Sequence, residues 1–169
     1  MNAALPLFLF LSLPTPTAFP LEARTLCLRT LIAAQLEQFE GFRESPYLDT
    51  QKQWTLGYGH KLSHEYVSHA PITKPQALEM LRKDVLAAEN GARKVFPDFA
   101  SLPPLAQEAL THMAFQLGTS GLAKFINLKK AIRLKRWPDA GAECLHSRWA
   151  VQTPVRANFC AALFGKIKP

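Results

Sequence analysis

With 169 residues, 48% of them hydrophobic and 20% charged, the composition excludes a disordered tail or a linker-like polymer and fits one domain, or two small lobes sharing a core. A formal charge of +7 and a pI near 9.5 favour an anionic partner, without choosing among nucleic acid, anionic lipid and a bacterial wall with its peptide carboxylates. Cys27, Cys144 and Cys160 show no metal-ligand or redox spacing, and their odd number forbids complete pairing, so they read as isolated buried thiols.

The chain opens on residues 1–23, an apolar leader without a charged side chain before Glu22. Its run ALPLFLFLSL is too short to span a bilayer, which takes about twenty residues, but it fits the apolar core of an export signal. Against that reading, no Lys or Arg precedes the run and no A-x-A site follows it. A cleaved signal or transient anchor and a loosely packed leader both remain open.

Leu28, Leu31, Ile32, Leu36 and Phe39 recur at helical spacing, so Leu26 to Glu40 is expected to form an amphipathic helix, with Gly41 as its left-handed cap. Glu40 then sits at the negative end of the helix macrodipole, which disfavours its ionised form and suits a proton donor. From Tyr47 to His60 the period changes to two. Trp54, Leu56 and Tyr58 share one side, while Thr55, Gly57 and Gly59 form a bare face that is expected to leave Thr55 open to ligand and water. A hairpin is expected to turn at 51–53.

A loop over 61–72 leads to Thr73, an N-cap with Pro75 in the first turn of a long helix ending before Pro97. Further helices are expected over Pro104 to Leu117, Leu122 to Trp137, Asp139 to Trp149 and after Pro154, punctuated by Gly118, Gly121, Pro138 and Pro154. Internal repeats and linkers to a second module are absent from the sequence.

Several constellations compete for the chemistry. His64 and His69 in HEYVSH look like a zinc-protease pair, but they stand five residues apart, roughly 140° round a helix, so no metal is expected. The basic residues Lys124, Lys129, Lys130, Arg133, Lys135 and Arg136 scatter around their helix, with Leu128 and Ile132 on the buried side, which describes a solvated face rather than a nucleic-acid stripe. No G-x-S-x-G elbow or phosphate loop occurs. What remains is a carboxylate at a helix end, Glu40, with Asp49 and Thr55 flanking a turn. That pattern suggests glycosidase-like hydrolysis, and its competitor is two surface acids without a role.

The stretch EGFRESPYLDTQKQWTLGYGH resembles the active-site region of the phage-type lysozymes, matching at Glu40, Asp49, Thr55, Gly57, Gly59 and His60. ITKPQALEMLRKDV, FQLGTSGLAKF, KRWPDA and SRWAVQTPVRA continue the resemblance over about residues 31–157, strongest to the T-even phage type and with a shorter loop between His60 and Thr73. It implies an α+β, mostly helical, two-lobed fold: residues 24–169 as one domain, with a hairpin lobe at 41–72, a connecting helix at 73–96 and a helical lobe at 97–169. It implies a muramidase acting in the periplasm or wall as a monomer, without cofactor, nucleic acid or membrane span, reached by export or by holin release. Glu40 would protonate the leaving oxygen, while Asp49 and Thr55 would place the attacking water and Asp49 would stabilise the oxocarbenium charge. Phe115 and Gln116 would line the cleft, and His60 would pair with Asp84 as a structural tie. Lys61, Leu128 and Glu143 stand where the family usually has other side chains. A lytic transglycosylase and a non-catalytic peptidoglycan-binding protein are the alternatives.

Overall fold

The computed structural model describes residues 20–49, 52–62 and 71–168. His64 and His69, and the leader before Pro20, lie outside the described residues. The elements run α1 (Leu21–Glu40), β1 (Arg43–Leu48), β2 (Trp54–Gly57), β3 (His60–Lys61), α2 (Lys74–Val95), a 3-10 turn (Phe99–Ser101), α3 (Pro104–Ala123), α4 (Ile126–Arg133), α5 (Trp137–Leu145), α6 (Arg148–Gln152) and α7 (Pro154–Gly165). The result is a mostly helical α+β fold with one small antiparallel sheet of order β1-β2-β3 among the described residues.

α1 begins at Leu21, before the expected Leu26, so 21–23 belong to the helix rather than to the leader. The apolar periodicity hid this first turn because Leu21 and Leu26 face solvent, and burial starts only with Ile32, Ala33 and Leu36. Leu31, expected on the apolar face, is exposed. At the other end Gly41 has the expected positive φ of 68°, but its ψ of 157° carries it out of the left-handed helical well into a region that essentially only glycine visits. The chain therefore leaves α1 extended, straight into β1.

β1 pairs with β2 at Tyr47↔Thr55 and Leu48↔Trp54, and the register is broken between Arg43 and Tyr47, where Pro46 has no N–H to donate. Such a residue is tolerated because β1 is an edge strand. β2 pairs with β3 at Thr55↔Lys61 and Leu56↔His60, within what sequence patterning had given as the start of a loop.

α2 starts as its cap dictates: the Thr73 hydroxyl accepts from the Gln76 N–H, and the Gln76 side chain accepts from the Thr73 N–H in return. Later boundaries differ from expectation. α3 does break at Gly118, as expected, where φ is 69°, but helix resumes directly after it and runs to Ala123. The expected helix to Trp137 stops at Arg133, because Lys135 takes a positive φ of 55°. Pro138 lies inside the first turn of α5 rather than ending a helix, and Ser147 starts α6 by accepting from the Ala150 N–H.

Two apolar clusters form. One joins α1, α2 and Tyr58 through Ile32, Leu36, Ala77, Leu81 and Val85; the larger fills the helical lobe around α3, with Leu110, Met113, Leu122, Leu128 and Phe164 fully enclosed. α2 contributes to both, and half-buried Phe115 touches both. Among the described residues no helix is long and apolar enough to cross a membrane. Cys144 and Cys160 are buried as expected, and burial pushes the Cys144 thiol up to about 12 and that of Cys160 well above its usual value. Cys27, by contrast, is exposed: its helix face turns away from the core.

Candidate active site

A cleft of about 300 Å³ opens where the sheet meets the helical lobe, lined by Gly59, His60 and Lys61 on one side and by Asp84, Phe115 and Gly118 among others on the opposite wall. Glu40, the last residue of α1, lies against Gly59, one of the residues lining this cleft. Its carboxylate is held from two directions. Arg156 Nη2 donates to Oε1 at 2.7 Å, and Oε2 lies only 3.1 Å from the place a Cβ on Gly59 would occupy. Any larger residue at 59 would displace the acid.

The ion pair is asymmetric. Arg156 is 6% exposed and Glu40 26% exposed, so the carboxylate faces solvent while the guanidinium that grips it is sealed. Arg156 also lies over the ring of Phe39, 4.7 Å from its centroid, and is 6.0 Å from that of Phe115. Sequence alone offered Glu40 only its place at a helix end; the sealed guanidinium of Arg156 is a partner that the sequence did not show.

Asp49 ends β1 and shapes the following turn. Its Oδ1 accepts from the Gln53 N–H at 2.8 Å, its own N–H donates to the Gln53 carbonyl at 3.0 Å, and its carbonyl accepts from the Lys52 N–H. The Gln53 N–H thereby helps to orient the carboxylate. Thr55 departs from expectation: it is 3% exposed, and its hydroxyl donates to the Gln53 carbonyl at 3.0 Å. The face expected to be bare is covered. Gly57 approaches α2, with a Cβ there meeting the Ala77 Cβ at 3.1 Å, and Gly59 approaches Glu40. The glycines do permit close contact, but with the protein itself.

His60 Nδ1 lies 2.8 Å from Oδ2 of Asp84, tying β3 to α2. Phe115 lines the cleft, whereas exposed Gln116 lies outside the lining, its Oε1 accepting from the buried Trp149 Nε1 at 2.8 Å. Of the three departures from the family pattern, Lys61 lines the cleft, Leu128 is buried in the core and Glu143 borders a separate hollow beside Lys130 and Asp139.

Against known proteins, a family model described as phage lysozyme matches residues 37–157. The chain belongs to the phage lysozyme family. This family member is 27% identical over 153 residues to a probable T4-type lysozyme 2 of Dictyostelium discoideum, covering 76% of this chain and 90% of that one. It is 27% identical to the pre-baseplate central spike protein Gp5 of Enterobacteria phage T4, over 75% of this chain and 26% of the spike protein. It is 30% identical to an endolysin of Bacillus phage PZA, over 64% of this chain and 45% of the endolysin. Phage lysozymes are glycosidases of peptidoglycan, and that is the activity class of this chain.

Three features of this lysozyme were not singled out from sequence. Arg156 stands among Ala157, Cys160, Leu163 and Phe164 on the buried face of α7, and a buried cation in such company demands an acid. Trp149 positions Gln116. The third is a polar chain behind the site: His112 Nε2 to Gln35 Oε1 at 2.8 Å, and Gln35 Nε2 to Glu108 Oε1 at 2.8 Å. Glu108 and His112 interrupt the apolar run of α3 at helical spacing, which is the signal that could have revealed them.

Proposed function

We propose that this chain is an N-acetylmuramidase that hydrolyses the β-1,4 bond between N-acetylmuramic acid and N-acetylglucosamine with inversion, serving bacterial lysis. In this mechanism Glu40, in its protonated form, delivers its proton to the glycosidic oxygen as the bond to the anomeric carbon breaks. Asp49 stabilises the positive charge growing on the ring and, with Thr55, holds the water that attacks from the opposite face, taking that water's proton as its oxygen bonds to the anomeric carbon. Because the single Thr55 proton is committed to the Gln53 carbonyl, its oxygen can only accept from that water, which leaves the water's own lone pair free to attack. Phe115 offers the cleft an apolar wall. The site of action is the periplasm or wall, with the apolar leader before α1 as the route of export.

The observation that carries this reading is the grip on Glu40: one oxygen on a sealed arginine, the other against a glycine, at the edge of an open cleft. Glu40→Gln keeps the side-chain volume and an acceptor for Arg156 but has no acid proton. It is expected to lower release of muropeptides from purified peptidoglycan by about a thousandfold or more, the upper part of the range for general-acid catalysis. Near wild-type lysis by this variant would refute the assignment. Reducing-end products identify hydrolysis, and 1,6-anhydro products a transglycosylase.

A further inference from the structure

Among the described residues, the buried side-chain atoms without a hydrogen-bond partner are His112 Nδ1 and Arg156 Nη1. The two residues share surroundings. The ring of His112 stands edge-on to Phe39 at 6.0 Å and to Phe159 at 5.0 Å, and the guanidinium of Arg156 lies over the same Phe39. A buried polar group left unsatisfied is costly, so two in one place are not expected by chance.

Their chemistry is complementary. Burial, with the Arg156 charge adding to it, lowers the His112 pKa to about 3, so the ring is neutral. Glu108 accepts from the Gln35 amide nitrogen, which turns the Gln35 carbonyl towards His112. That carbonyl can only accept, so the His112 proton resides on Nε2 and Nδ1 presents a lone pair. Arg156 Nη1 presents N–H.

We propose that His112 is a positioning residue for the general acid: its Nδ1 lone pair answers the Nη1–H of Arg156, and the Gln35–Glu108 chain behind it fixes the guanidinium that holds Glu40. The two atoms are not in direct hydrogen-bond contact, and one bridging water, at home in an enclosed site with polar partners on both sides, closes the gap. Gln35 and Glu40 lie on the same helix, so the chain Glu108–Gln35–His112–Arg156–Glu40 starts from α3, crosses to α1 and back, and returns through α7 to the end of α1. The inference rests on Glu40 as the acid and adds what keeps it aimed.

The test compares His112→Phe, which keeps a ring and removes both nitrogens, with His112→Asn, whose amide oxygen can replace the Nδ1 acceptor. His112→Phe is expected to lower the lysis rate at saturating peptidoglycan by about tenfold or more with half-saturation unchanged, because aim rather than binding is lost. His112→Asn is expected to recover most of that rate. Equal loss in both variants at wild-type melting temperature, or no loss in either, would overturn the proposal. Nitrogen NMR of the unsubstituted protein reads the tautomer without risk to folding, and an Nδ1–H form or an imidazolium refutes it directly. Glu40→Gln is assayed alongside. If it stays active, the acid assignment falls and this inference with it; if it is inert while His112→Phe is undiminished, this inference alone falls.

Discussion

His60 shows how one side chain can carry a pH signature. The hydrogen bond to Asp84 raises its pKa above the ordinary 6.5, with burial opposing and the Asp84 charge assisting. A folded-state value above the unfolded one means stabilisation that is fully present below 6.5 and is lost as pH rises through the raised value. The pair is about one-quarter to one-third exposed, so solvent screens it. His60→Asn is therefore expected to cost about 1–2 kcal/mol at acid pH and progressively less in alkali. Thermal unfolding of both proteins across that range checks it, and a gap that does not change with pH would rule out a protonated pair. At this scale the sequence was most legible for single residues with local causes: Glu40 is the last residue of its helix because Gly41 follows. Arg156 was not legible as its partner, since 116 positions separate them and only the packing of α7 against α3 and α1 closes that distance.

Two glycines with positive φ, Gly57 ending β2 at 64° and Gly59 in the turn to β3 at 80°, are assigned different work by their neighbours. Alanine at either adds left-handed strain of about 1–2 kcal/mol. At 57 the new methyl meets Ala77 and Ile72, so Gly57→Ala is expected to loosen the sheet from α2 and lower the melting temperature more than the activity. At 59 it meets the Glu40 carboxylate, so Gly59→Ala is expected to lower lysis out of proportion to its stability cost. Lysis rate measured beside melting temperature separates the two, and parallel losses in both variants would show that neither glycine is specific to the acid. The same strand explains why the site was only half visible beforehand. Period two grouped Thr55, Gly57 and Gly59, but alternation cannot say what covers such residues, and here α2 lies against Gly57 and Glu40 against Gly59. The helix start capped by Thr73 was readable to the residue. The break at Gly118 was legible as a glycine following Leu117, whereas that at Lys135 was not, because a non-glycine residue takes a positive φ only where its surroundings impose one.

For the whole molecule, the geometry of the site depends on how α1 is seated, since that helix carries both Glu40 and Gln35. Its register against α2 is fixed by more than apolar contact. Glu89, 6% exposed in its side chain, binds Arg29 of α1 at 2.5 Å and Arg93 of its own helix at 2.6 Å. Burial would raise its carboxyl, yet the two guanidinium donors outweigh burial and hold it below 4.5. A depressed folded value reverses the sign found at His60: the stabilisation is present above the ordinary carboxyl value and disappears as pH falls through the folded one. Removing one partner of a buried pair costs about 3–5 kcal/mol, but both arginines are about one-third exposed and can rehydrate, so roughly 2 kcal/mol is expected for Glu89→Gln. The loss should fade in acid, where wild-type Glu89 is itself neutral. Because Glu89 lies behind the site rather than in it, lysis by Glu89→Gln well below its melting temperature should match wild type and then fail at a lower temperature. A variant that lost turnover while still fully folded would show instead that the Arg29 tie tunes the aim of α1, and through it of Glu40, rather than only holding the helix in place.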